Sequence, residues 1–187
     1  MAKNTRKPSN SSRKPRSNRQ DASMENNELH KLFLDDLADI YNAENQLLKA
    51  LPKMAKAAQS EELRDAFETH LEETRGQIAR IENVVRVLGE SLKRKKCKGM
   101  EGLLEEGKEM MEEKADSPAL DAALIAAAQK VEHYEIATYG TLCTWAELMG
   151  HREALNLLKQ NLSEEEAADE TLTEIAESVA NIQAERD

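Results

Sequence analysis

Glu44, Glu135 and Glu165 are acids set into runs of residues that otherwise read as the buried stripes of helices. Around Glu44 the three- and four-residue spacing runs through Phe33, Leu37, Ile40, Leu47 and Leu51, and around Glu135 through Leu124, Ala128, Val131, Thr138, Leu142 and Trp145. Glu165 and Asp169 interrupt a stripe made by Leu158, Leu162, Leu172 and Ala176. A fourth stripe, Leu63, Phe67 and Ile81, passes His70, then Glu73 or Thr74, then Gln77. Spacing of this period places one face of a helix against a core. Each of four helices therefore carries one polar break between apolar turns.

The breaks fall at one depth. Glu44 and Glu73 lie about 15 and 13 residues from a turn near Ser60, and Glu135 and Glu165 each about 15 residues from a turn at Gly150. At ~1.5 Å rise per residue that is roughly 20–23 Å from the turn end of the bundle. Carboxylates gathered at one interior level repel, so the group is either protonated or holds cations. A pair of divalent metals resolves the repulsion. Carboxylate-bridged di-iron and di-manganese bundles use a Glu on two helices and Glu-x-x-His on the other two. Here His70 precedes Glu73, Gln77 follows it, and no Glu-x-x-His is present. An oxygen-rich set of this kind suits hard metals and Fe or Mn.

The elements that must position these residues are four long helices. The first is predicted over about 27–58 with a bend at Pro52, and the second from an N-cap at Ser60 to Gly89. The third runs from Ser117-Pro118 to Gly150, and the fourth from Arg152 almost to the end. The segment 89–116, with an amphipathic piece from Met100 to Met111, is long enough to cross the bundle lengthwise. Tight links on either side of one long crossover describe an all-α, ferritin-like four-helix bundle with a short helix between helices 2 and 3. A shift of 91 residues supports two similar hairpins, laying Ile40 on Val131, Glu44 on Glu135, Leu51 on Leu142 and Phe67 on Leu158. That shift favours Glu164 over Glu165, whereas the stripe favours Glu165.

Other residues admit two readings. His70 is a ligand or a hydrogen-bonded core histidine, and Tyr41, one turn from Glu44, is an electron relay or a packed tyrosine. His133, beside Glu132, faces either way and stands behind the site at most, and His30 and His151 are expected to be exposed at helix ends.

Composition agrees with helices: 40% of residues are apolar but aromatics make up only 3%, against 33% charged. Residues 1–23 hold seven Lys and Arg and one Asp, in a chain of net charge -10. This tail has nothing to bury and is expected to be disordered, leaving 24–187 as one domain. Its cations, within residues 3–19, suit non-specific nucleic-acid binding through phosphates, or a solubilising or targeting role. No signal peptide or membrane-spanning run is present, and Cys97 and Cys143 form no CxxC, so a reducing cytoplasm is expected.

The strings HLEETRGQIARIE (70–82), KCKGMEGLLEE (96–106), DAALIAAAQKVEHYEIATYGTL (121–142) and LSEEEAADETLTEIA (162–176) resemble the YciF/YciE family of bacterial ferritin-like stress-response proteins. The resemblance covers about residues 26–180 and implies a homodimer. Glu132-His133-Tyr134-Glu135 is also similar to the third-helix metal motif of rubrerythrins, which implies Glu132 as a further ligand. There is no rubredoxin-type cysteine module, so a peroxidase of that kind would need an external reductant. The expectation is a protein in which Glu44, Glu73, Glu132, Glu135, Glu165 and Asp169 hold two Fe or Mn ions. His70, Gln77, Glu164 and Tyr41 stand as additional or supporting residues. Its chemistry would be that of a ferroxidase, peroxidase or catalase-like oxidoreductase. The alternative is a metal-free bundle acting as an interaction or protective protein.

Overall fold

The structure, a computed structural model, describes residues 27–185. The basic tail expected over 1–23 lies outside the described residues. The elements are α1 (Glu28–Ala57), α2 (Glu61–Val87), α3 (Lys98–Glu113), α4 (Leu120–Leu148), α5 (Arg152–Ile175), a π-helical turn (Ala176–Ala180) and α6 (Asn181–Glu185). Among the described residues there is no strand.

Local chemistry explains the boundaries. The Asn27 side chain accepts from Leu29 N at 2.9 Å and the Ser60 hydroxyl accepts from Leu63 N at 3.3 Å, each satisfying a donor at a helix start. Gly89 and Gly150 follow α2 and α4 with φ of 73° and 75°, a left-handed conformation that costs glycine least. The start of α4 differs from expectation. Ser117 forms a preceding turn instead, its carbonyl and hydroxyl accepting from Leu120 N and Ala119 N, and the helix begins at Leu120. Buried Asp121 then accepts from the backbone amides of Gln59 and Ser60, both at 2.8 Å, and ties the α1–α2 turn to the start of α4.

Helix α1 packs on α2 and α4, and α5 on α2 and α4, which closes a ring of four with α2 and α4 on the diagonal. The crossover carries α3 across the outside of α1 and α4. This is the four-helix bundle with a helix-bearing crossover that the spacing predicts. Phe33, Leu37, Ile40, Leu63, Phe67, Ile81, Leu124, Leu142 and Leu158 belong to one continuous core. Each such side chain contributes roughly 1.5–3 kcal/mol on full burial, enough together to carry a polar layer midway along. Because α4 is covered by α1, α3 and α5, its buried positions wrap much of its circumference. Tyr139, Cys143 and Ala146 are buried, while Thr138 and Trp145, expected on the stripe, are half-buried.

Candidate metal centre

Helical phase brings five ionisable side chains to the middle of the bundle. Glu44 comes from α1, His70 from α2, Glu132 and Glu135 from α4, and Glu165 from α5, all at most 5% exposed. One donor atom from each of His70, Glu132, Glu135 and Glu165 lies within 4.8 Å of the others. His70 Nε2 stands 3.5 Å from Glu132 Oε2 and 3.6 Å from Glu165 Oε2. Glu44 joins from the far side, where the buried Tyr139 hydroxyl donates to its Oε1.

The electrostatics follow from that burial. Desolvation lifts the Glu44 carboxyl to about 7 despite the Tyr139 bond and the His70 charge. Burial, then the neighbouring carboxylates, push Glu135 and Glu165 well above the usual range. Glu132 is raised by burial too, with His70 opposing. Burial disfavours a charged His70, yet Glu132, Glu73 and Glu44 outweigh it and lift the imidazole to about 9.

The donors are also unspent. Among the described residues, Glu44 Oε2, His70 Nε2, Glu132 Oε2 and both oxygens of Glu135 and Glu165 have no hydrogen-bond partner while the carboxyls are ionised; a proton on Glu165 would let it bond Glu132. Buried polar atoms are rarely left so, because each costs on the order of 1–3 kcal/mol. Ligands about 2.0–2.2 Å from one ion stand at most about 4.4 Å apart, so small rotations close this set around a metal. The donor set therefore fits a divalent ion: a buried group of one imidazole and several carboxylates able to hold it.

Several expected residues sit elsewhere. Glu73 is one position off the buried meridian, which runs through His70, Thr74, Gln77 and Ile81. Its side chain is 36% exposed and bonds His70 Nδ1 at 3.3 Å. Asp169 is a quarter exposed, 3.3 Å from His133 Nε2 on the α4–α5 seam, outside the four-donor group. Glu164 turns outward to Arg80, so the buried choice is Glu165. Tyr41 faces α2, where its hydroxyl donates to Glu82 at 2.8 Å, and it is not beside the cluster. Gln77 is buried as expected, its side-chain atoms without partners. His30 is buried rather than exposed, bonded to Glu90 at 3.2 Å with its ring 5.5 Å from that of His151.

Sequence reasoning missed Tyr139, Asn161 and Arg80. Tyr139 lies one turn beyond Glu135, a spacing that could have found it. Arg80 reaches across from α2 to Asn161 and Glu164 on α5, and Asn161 Nδ2 donates to Gln77 O at 3.4 Å. No local pattern signals that brace.

Comparison with known proteins places this architecture. The chain is 53% identical over 155 residues to Protein YciF of Escherichia coli (strain K12), covering 82% of this chain and 93% of that protein. The crystal structure of the E. coli stress protein YciF superposes with a TM-score of 0.78 at 49% identity, covering 85% and 98% of the two chains. A Rhodopseudomonas palustris protein called YcfI matches with a TM-score of 0.76 at 46% identity, covering 79% and 94%. The family described as Domain of unknown function (DUF892) matches residues 28–185, and with these relatives it shows that the chain belongs to the DUF892 family, that of YciF.

Proposed function

We propose that this chain is a ferritin-like dinuclear metal protein of the bacterial stress response, holding two Fe or Mn ions that react with O2 or peroxide. The observation that carries the reading is the buried cluster of Glu44, His70, Glu132, Glu135 and Glu165, whose inward-facing atoms lack partners. The stress assignment draws on the E. coli relative, described as a stress protein.

Glu44, Glu132, Glu135 and Glu165 supply the oxygen ligands in this reading, and His70 the one nitrogen. Mostly oxygen donors favour Fe or Mn over softer metals. When bound, the ions supply electrons and open coordination positions to a small oxidant. The chain's own residues do the rest. Tyr139 orients Glu44 through its hydroxyl, and Glu73 orients the His70 ring through Nδ1, leaving Nε2 toward the carboxylates. The apolar turns above and below the cluster close it off from solvent along the bundle axis.

The test is Fe(II) oxidation and peroxide consumption by Fe(II)-loaded wild type beside the Glu135→Gln variant. Wild type is expected to turn over and the variant to lose most of the rate. A second reading, a metal-free structural bundle, draws on the same burial, since raised carboxyls beside a protonated His70 can balance charge without an ion. Wild type that takes up no Fe or Mn would favour it.

A further inference from the structure

The seam between α2 and α5 is braced at one level and open at another. Arg80 spans it to Asn161 and Glu164, and Asn161 returns a bond to the Gln77 carbonyl. The two helices run antiparallel, and farther along, toward the start of α2 and the end of α5, the seam is lined by Ala66 on α2 and Ala167 and Ala168 on α5. There it holds a cavity of about 150 Å³ that opens to solvent and ends on His70 and Glu132. The three alanines, none of which extends past Cβ, line it together with Phe67, Thr69, Thr171 and Leu172. Its inner end is the cluster itself, since His70 Nε2 and Glu132 Oε2 are buried atoms without hydrogen-bond partners. Half-exposed Glu73 borders the same cavity and touches His70 Nδ1 at 3.3 Å.

We infer that this α2–α5 opening is the entrance to the metal centre, through which divalent cations and an oxidant of peroxide size reach His70 and Glu132. Glu73 is the carboxylate that first captures the cation. The inference rests on the metal reading above. Charge and exposure support it: the Glu73 carboxylate is 36% exposed beside the cavity, whereas Glu132 and Glu165 are buried within. Size allows it, since a space of ~150 Å³ has room for a cation together with hydrogen peroxide or O2.

Metal-free full-length protein mixed with Co2+ tests this by stopped-flow absorption, with final cobalt content as a separate readout. Ala168→Leu and Ala167→Leu are expected to slow uptake tenfold or more while reaching the wild-type cobalt content. Glu73→Gln, whose amide oxygen still accepts from His70 Nδ1 and so keeps the ring oriented, should slow it by a smaller factor, again with unchanged final content. Ala137→Leu, an exposed position on α4, should load at the wild-type rate. Ala167 is exposed, so its variant decides the matter if Ala168→Leu fails to fold. Wild-type uptake rates in both leucine variants would overturn the entrance alone and leave the metal centre standing. Loss of cobalt content in Glu73→Gln would make Glu73 a fixed ligand and overturn its capture role. No cobalt uptake by wild type would remove the metal centre and the entrance together.

Discussion

Stripping metal from the centre should make stability depend on pH in a definite sense. The folded protein holds His70 at about 9, above its ordinary 6.5. A group raised on folding stabilises the native state fully below its unfolded pKa, and that contribution is lost as pH climbs through the folded value. Glu44, raised from 4.5 to about 7, has the same sign over a lower window, and Glu135 and Glu165, raised well above 4.5, share that sign. His151, lowered by burial and by His30, works the opposite way below its ordinary 6.5, so the clean interval begins there. Between pH 6.5 and 8.5, His70 alone changes stability by on the order of 2–3 kcal/mol, at roughly 1.4 kcal/mol per pH unit. The attraction between His70 and the carboxylates is shared, so the groups are not summed. For a domain of this size the loss corresponds to roughly 5–10 °C in Tm. Thermal unfolding of chelator-treated protein across that interval provides the assay, with Mn2+ added in a parallel series. The metal-free Tm should fall steadily and the Mn2+ series should stay higher and flatter. A metal-free Tm that is level or rises with pH would refute the electrostatic picture of the cluster.

Tyr139→Phe removes the hydroxyl that bonds Glu44, a buried bond to a charged group worth about 1.5–3 kcal/mol. Urea unfolding of metal-free protein should show a loss of that size with helicity retained. At Gly99, an added Cβ would stand 2.9 Å from Tyr134 Cε2. That ring is held by bonds to Asp39 at 2.8 Å and Cys97 Sγ at 3.0 Å, so Gly99→Ala should cost about 1–3 kcal/mol by urea unfolding. Gly102 faces open space in the same helix, and Gly102→Ala should instead stabilise by about 0.4–1 kcal/mol in the same measurement.

The helices were legible because their signals are local. Ser60 caps, the glycines at 89 and 150 terminate, and a three-to-four spacing of Leu, Ile and Phe marks the buried faces. Glu44, Glu135 and Glu165 were legible for the same reason, as acids on those faces. What a stripe does not resolve is the choice between neighbours. An apolar face spans ≳ 100° and one residue turns the helix by about 100°, so Glu73 and Thr74, or Glu164 and Glu165, read almost alike. The 91-residue shift pairs Glu73 with Glu164, and both proved to be outward members; the buried pair is Thr74 with Glu165. Asp169 was misplaced by its position four residues after Glu165, at the edge of the face where His133 reaches it. Tyr139 and Arg80 act through partners 95 and 81 to 84 residues away, and such pairings exist only once the helices have packed.

Metal content tests the central claim most directly. Protein purified without chelator is analysed for Fe and Mn, as wild type and as the Glu44→Gln, Glu135→Gln double variant. Neutral isosteres relieve like charges in the core, so the variant should keep its helical spectrum. About two equivalents of Fe or Mn in wild type and essentially none in the variant is the predicted result. Equal metal in the two would contradict the assigned ligands, and no metal in either, even after incubation with Fe(II) or Mn2+, would contradict the metal centre itself.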